Sequence, residues 1–442
     1  MILLAACSKE DNPPGADPPS PPSPVQPEAD TDTDKLISVR TDVPIKAFYK
    51  DVFMDGGIKA TSRTTLPACD YLGLSLEYFT TASSDYTLDD TLSQDAVFIG
   101  SEEDSNGRLL YPDGAPRYRC IFVNGGNATA HGRSLKEAGR ENFRTFVSNG
   151  GSYVGSCAGA YVAGLGSSTY INKEYIGLWP SVATSCKLTD TYTGHFVDQG
   201  SPLLKYYDFG GDNYIASVYH NGGCYCAEED LVPGTEVLAR YDYDIEPENH
   251  NNMHRKASVW AYKADAVSGR VIMCGSHPEG IKSGERRDMM AGMLRYAMEG
   301  VGTTSVKCIL HKGETRKMNQ PSSAKDPMHT RIGDMQCHHF VMWVPAGAKN
   351  IKINLVPAEK YDFRLMLAKE TFAYPEDAQY KYESNGGKAL TAQFSNLASG
   401  QWYICVQCTS TVKAGKDEKH GTKYTETEIL NGAAYDISLS WD

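Results

Sequence analysis

The chain of 442 residues has no excess of positive charge. Its 43 Lys and Arg face 55 Asp and Glu, giving a formal net charge of −12. Binding to nucleic-acid phosphates needs a basic face, and no stripe of Lys or Arg runs along any segment, so nucleic acid is excluded as a partner. The acidic balance calls for no reading beyond solubility. There is also no apolar run long enough to span a bilayer. Cys224-x-Cys226 stands alone and is too close for the usual zinc or redox arrangement, so neither metal nor cofactor is expected. With 41% hydrophobic and 22% charged residues, the chain has room for two or three globular domains.

Leu4-Ala-Ala-Cys7, followed by Ser8-Lys-Glu-Asp11, resembles the lipidation site and charged export patch of a Bacteroidetes-type lipoprotein. The apolar stretch ahead of Cys7 is short for a signal peptide and lacks basic residues, so the start is expected to be truncated or misassigned. Residues 12–34 are dense in Pro, Asp, Ser and Thr, a composition that buries too little apolar surface to order itself. Residues 1–35 therefore read as a signal remnant plus a disordered tether, with the membrane reached only through lipid on Cys7. The expected location is the cell envelope: the outer membrane or cell surface, or the periplasm. Twelve cysteines in an exported chain suggest some disulfides.

The centre of the sequence is Gly150-Gly-Ser-Tyr-Val-Gly-Ser-Cys157-Ala-Gly-Ala-Tyr-Val-Ala-Gly164. It reads as helix stop, strand, sharp turn and a helix of small residues. Gly155-x-Cys157-x-Gly159 is the thiol form of a nucleophile elbow, in which the flanking positions must lack side chains for the chain to reverse. The helix that follows points its positive dipole end at the sulfur. The bland alternative is a structural cysteine buried on a glycine-rich turn.

Upstream, a strand at Arg119–Val123 runs into Asn124-Gly125-Gly126, where backbone N–H groups can face a ligand closely. Ser134-Leu-Lys-Glu137 reads as a capping box opening a helix that Gly150 closes. Strand, loop, helix, strand, elbow and helix form a βαβα unit, which puts the Gly-Gly loop and Cys157 at one sheet edge. Strands are also expected at 44–54, 76–80, 96–99, 237–241, 257–262 and 269–275, and a helix at 286–300.

Downstream, Ser276-His277-Pro-Glu279 follows the strand at 269–275 and can place an imidazole against the thiol with a carboxylate behind it. His195 and His220 read as ordinary buried or surface histidines. Glu248, His250 and His254 read as a solvated loop.

These pieces together resemble the class I glutamine amidotransferase-like superfamily. Phe122-Val-Asn-Gly-Gly, the Cys157 stretch, Asn221-Gly-Gly, Val237-Leu-Ala-Arg-Tyr and Gly275-Ser-His-Pro-Glu-Gly bring it closer to the family named for the N-terminal domain of biotin–protein ligases. The resemblance spans roughly 40–300. It implies a flavodoxin-like α/β sandwich with Cys157 as nucleophile, His277 as base and Glu279 as orienting acid, and an oxyanion and binding region at Gly125, Gly126 and Ala158. No biotin-ligase catalytic domain and no ammonia-accepting synthase domain accompany it. On this division the α/β domain covers 36–302.

Residues 303–442 alternate in strand fashion between turns and read as an all-β sandwich. The Val-Pro-Ala-Gly turn and the Gly-Gln-Trp-Tyr strand resemble a bacterial pre-peptidase C-terminal domain. His338 and His339 are adjacent on a strand, so their side chains point to opposite faces. The expected function is a cysteine hydrolase or amidase acting on a small-molecule, peptide or cell-wall amide through a thioester. Two alternatives stand beside it: a catalytically silent envelope scaffold, and a DJ-1-like protein, which would need an acidic residue close to Cys157.

Overall fold

The computed structural model describes residues 34–58, 65–81, 92–101, 106–167, 169–244, 252–417 and 420–442. Cys7, most of the tether, Glu248 and His250 lie outside the described residues. Among those described, no helix is long and apolar enough to cross a membrane.

The first part of the chain is a helix-flanked sheet. Its elements in order are β1 (Lys50–Ile58), α1 (Pro67–Leu72), β2 (Leu76–Thr81), α2 (Gln94–Phe98), β3 (Tyr118–Val123), α3 (Ala128–Ser134), α4 (Lys136–Ser148), β4 (Ser152–Ser156) and α5 (Ala158–Ala163). After a stretch of short strands and turns come the strands Thr191–Val197, Tyr214–His220, Thr235–Asp242, Ala257–Tyr262 and Val271–Cys274, then α6 (Glu285–Glu299). The parallel core runs β2-β1-β3-β4 and then Val271–Cys274, with antiparallel strands continuing beyond it.

Side-chain alternation builds the two faces. Phe53, Ile121 and Val123 pack with Phe143, Phe146 and Val162 on one side, while Val52, Met54, Cys120 and Phe122 pack with Cys69, Met289 and Met293 on the other. The methionines of α6 are therefore core. The fold is an α/β sheet layered between helices, followed by a β-rich C-terminal part.

Three local expectations are corrected. The first strand begins at Lys50 rather than Pro44 and continues through Gly56, with a register shift between Asp55 and Gly57. Residues 94–98 are helical, not extended, because Ser93 caps them by accepting from the Ala96 N–H at 3.0 Å. Ser134 opens no helix. Asn127 caps α3 by accepting from the Ala130 N–H at 2.9 Å, and the Ser134 hydroxyl donates to the His131 carbonyl at 2.7 Å. The eleven described cysteines are all free, and ten are buried. Cys69, Cys120, Cys224 and Cys274 fill core positions of the first part as small apolar side chains.

The C-terminal part packs a five-stranded sheet against a four-stranded one around Phe340, Leu355, Leu365, Ile404 and Ile437. Its hairpin Lys413–Asp417/Gly421–Thr425 leaves the sandwich and joins the first sheet beside β2, where the Thr80 N–H donates to the His420 carbonyl at 3.0 Å.

A buried polar network lies at this junction. Arg117 grips Asp334 with both prongs, at 2.8 and 2.7 Å, and donates to the Tyr424 hydroxyl at 2.9 Å. Tyr118 donates to Glu77 at 2.6 Å, and Lys50 reaches the same carboxylate at 2.8 Å. Burial pushes the Glu77 carboxyl up, but Arg117 and Lys50 outweigh it and hold the group below its ordinary value.

Breaking a buried pair strands one charge. Asp334→Ala is therefore expected to lower unfolding free energy by about 3–5 kcal/mol, read as a drop in urea midpoint. Arg117→Met with Asp334→Leu should cost much less.

Candidate functional site

The site forms where two neighbouring parallel strands end. Cys274 pairs with Ser156 in register, so the residues just past each strand leave the sheet side by side. On one side is Cys157, on the other Gly275-Ser276-His277.

Cys157 has φ 48° and ψ −106°, a backbone state that costs a non-glycine residue about 1–3 kcal/mol. The surroundings enforce it. The Cys157 N–H donates to the Cys274 carbonyl at 2.8 Å, and the Tyr161 N–H donates to the Cys157 carbonyl at 3.1 Å. A Cβ on Gly155 would lie 2.5 Å from the Gly159 carbonyl, and one on Gly159 would lie 2.1 Å from the Val123 carbonyl oxygen. Both glycines of the elbow are thus dictated by contact. The thiol faces the carbonyl of Asn221 at 3.5 Å.

His277 is anchored by its N–H, which donates to the Tyr219 carbonyl at 2.8 Å. Its Nδ1 pairs with Glu279 Oε1 at 3.0 Å, and Glu279 is buried. Burial opposes a charge on the imidazole. Hydrogen bonding to Cys157 and Glu279 outweighs burial and lifts the group to about 10. Cys157 and His277 both border the bare backbone of Gly125, with Glu279 behind the ring, although Cys157 and His277 are only 4% and 7% exposed.

Gly126 and Ala158 line a cavity of about 280 Å³ together with Cys157, Asn127, Thr129, Tyr161, Tyr175 and Asn221. Gly125 has another place. A Cβ there would sit 2.2 Å from His277 Cε1 and 3.2 Å from Cys157 Cβ, so its bare backbone makes room for the imidazole.

His195 and His220 lie behind the site. His195 pairs with Ser258 at 2.8 Å and His220 with Ser276 at 3.1 Å. Burial pushes them down to about 3 and about 4, with help from His220 in the first case and His277 in the second, so both are neutral near pH 7. His220 braces the loop that carries His277, and His195 ties its strand to the one that carries Ser258. His254 lies 3.6 Å from Asp242 on the antiparallel extension.

The cavity walls Tyr161, Tyr175 and Asn221 were not singled out by residue chemistry. The one signal for them is the Gly222-Gly223 pair. A Cβ on Gly223 would lie 1.7 Å from the Gly275 carbonyl, which locks the Asn221 loop against the His277 loop.

Two outcomes are expected. Gly125→Ala should destabilise the fold by about 1–3 kcal/mol through overpacking and slow alkylation of Cys157 by displacing the imidazole. The folded value of His277 lies above its ordinary 6.5, so its proton contributes to stability in full below about 6.5, and that contribution fades as pH rises towards about 10. NMR titration of labelled histidine should find this ring changing state near pH 10, and Glu279→Gln should bring the transition lower.

The sequence matches the family described as biotin–protein ligase, N terminal, over residues 116–171 and 204–306. No curated protein matches the chain. Among solved structures it is similar to a glutamine amidotransferase, at 16% identity over 55% of this chain and 96% of that one, with a TM-score of 0.33. It is similar to PurLQS from Thermotoga maritima at 13% identity, covering 56% of this chain and 99% of that one, with a TM-score of 0.33. The pre-peptidase C-terminal domain of a Bacillus anthracis collagenase is similar at 16% identity, over 31% of this chain and 100% of that domain, with a TM-score of 0.20. Within the first part of this chain, residues 116–171 and 204–306 are thus similar to the N-terminal region of biotin–protein ligases.

Proposed function

We propose that the protein is an exported cysteine-dependent hydrolase or amidase that cuts an amide or related acyl bond through a Cys157 thioester. The observation that carries this reading is the strained Cys157, interacting with a His277–Glu279 pair beside an open cavity.

The chemistry divides into two halves. His277 takes the Cys157 thiol proton as the sulfur attacks the acyl carbon, and backbone N–H groups of Gly126 and Ala158 receive the developing oxyanion. Protonated His277 gives its proton to the leaving amine, which departs and leaves the thioester. Neutral His277 then takes a proton from water, hydroxide adds to the thioester, and the acid leaves as the sulfur recovers its proton. Glu279 orients the ring and supports its charged form.

The cavity of about 280 Å³ sits at the small end of ligand pockets, and its lining side chains are uncharged. These features favour a compact, neutral acyl group with the remainder of the substrate extending into solvent. In this reading, lipid on Cys7 and the tether at 12–34 hold the enzyme at the cell envelope.

An electrophilic thiol probe on the full chain tests the nucleophile. Labelling is expected on Cys157 and should disappear in Cys157→Ala, while His277→Ala should slow it by roughly 10²-fold. Equal labelling of the other buried cysteines, or none at Cys157 with the thiol shown reduced, would overturn the proposal. A panel of amides and short peptides then reads substrate class.

A further inference from the structure

The outer face of the five-stranded sheet carries a second cluster of reactive groups, remote from Cys157 in the fold. Cys337 and His339 are two apart on the strand Cys337–Val344, so they share a face. His339 is the direct cross-strand partner of Cys405, which places a third donor on that face. One donor atom from each of Cys337, His339 and Cys405 lies within 4.8 Å of the others.

His339 is 3% exposed, and neither of its ring nitrogens has a hydrogen-bond partner. Phe372 and Tyr374 pack edge-on against it, with ring centroids at 5.0 and 4.6 Å. A buried nitrogen left without a partner is destabilising, so the arrangement calls for a group that accepts a lone pair. His338, the neighbour in sequence, faces the sandwich interior, where its Nδ1 pairs with the Tyr435 hydroxyl at 2.9 Å.

We propose that Cys337, His339 and Cys405 form a binding site for a soft d10 cation, Zn²⁺ or Cu⁺. Thiolate and imidazole are the donors these ions favour, and bonds of about 2.0–2.3 Å in tetrahedral geometry put donors roughly 3.5–3.8 Å apart. The cluster reaches that spacing by closing at most about 1 Å. Binding forms two S–M bonds and one N–M bond, and both thiol protons leave for solvent. A Cys337–Cys405 disulfide is the rival use of the same sulfurs, but it would satisfy neither nitrogen of His339. Three protein donors leave a fourth position beside Cys337, the one cluster member that is not fully buried.

The test uses the full chain, reduced with a phosphine and stripped by a chelator. Zn²⁺ and Cu⁺ are titrated separately against a chromophoric competitor, with Co²⁺ as the spectroscopic probe. Expected are one tightly held equivalent, about two protons released per ion, and the intense thiolate-to-cobalt absorption of a tetrahedral site. The ion held more tightly is the one this donor set and geometry favour.

Cys337→Ser, at a partly exposed position, keeps the fold by near-ultraviolet circular dichroism. Its affinity should fall by more than the roughly 10–100-fold that outer-shell changes cost. His339→Ala should behave alike, whereas Cys157→Ala and Cys308→Ser should bind normally. Absence of a stoichiometric ion in the reduced chain overturns the site. So does undiminished binding by folded Cys337→Ser, or a Cys337–Cys405 disulfide in chain isolated without reductant that still binds no ion once reduced.

Discussion

Everything at the candidate site follows from one strand pairing. Val271–Cys274 lies parallel to β4, with Cys274 opposite Ser156, and this register decides which residues emerge together. A slip of one position would turn every side chain of the strand to the other face. It would also carry the imidazole away from the sulfur. The apolar runs Tyr153-Val154 and Val271-Ile-Met-Cys274, buried on both faces, fix the register. The chemistry at the edge is thus held by packing in the core.

Glycine plays the complementary part. Gly125, Gly155, Gly159, Gly223 and Gly275 each occupy a spot where a methyl group would collide with backbone or with His277. Three loops and a helix start converge on a few ångströms, and only residues without a side chain allow it. The strain in Cys157 survives because its neighbours permit no other path for the chain.

Much of this was legible in the sequence because it is local. Gly155-x-Cys157-x-Gly159 and His277-x-Glu279 are short patterns whose spacing has a steric or hydrogen-bonding cause. The layered sheet followed from apolar strands alternating with helical patterns. What failed was also local. The run Ala96-Val-Phe-Ile suits a strand or a buried helical turn equally, and Ser93 decided it through a cap that period alone does not reveal. Ser134 and Glu137 match a capping box in spacing, yet Asn127 had already started a helix ahead of them.

Relations made by register across distant strands were out of reach. The neighbours of His339 were hidden because Cys405 becomes its partner only once the sheet is assembled. The wall supplied by Tyr175 was hidden for the same reason, while Asn221 showed only as part of a resembling stretch.

The hairpin at 413–425 changes how the two parts of the chain relate. Its second strand pairs with the edge of β2, Gly421 opposite Phe79, an edge that would otherwise offer unpaired amides to a passing chain. The C-terminal sandwich is thereby stitched into the α/β sheet and is no bead on a string. Cutting it away would leave a sticky margin on the remainder, so gain or loss of this module in the course of descent would have required a new margin guard at the same moment.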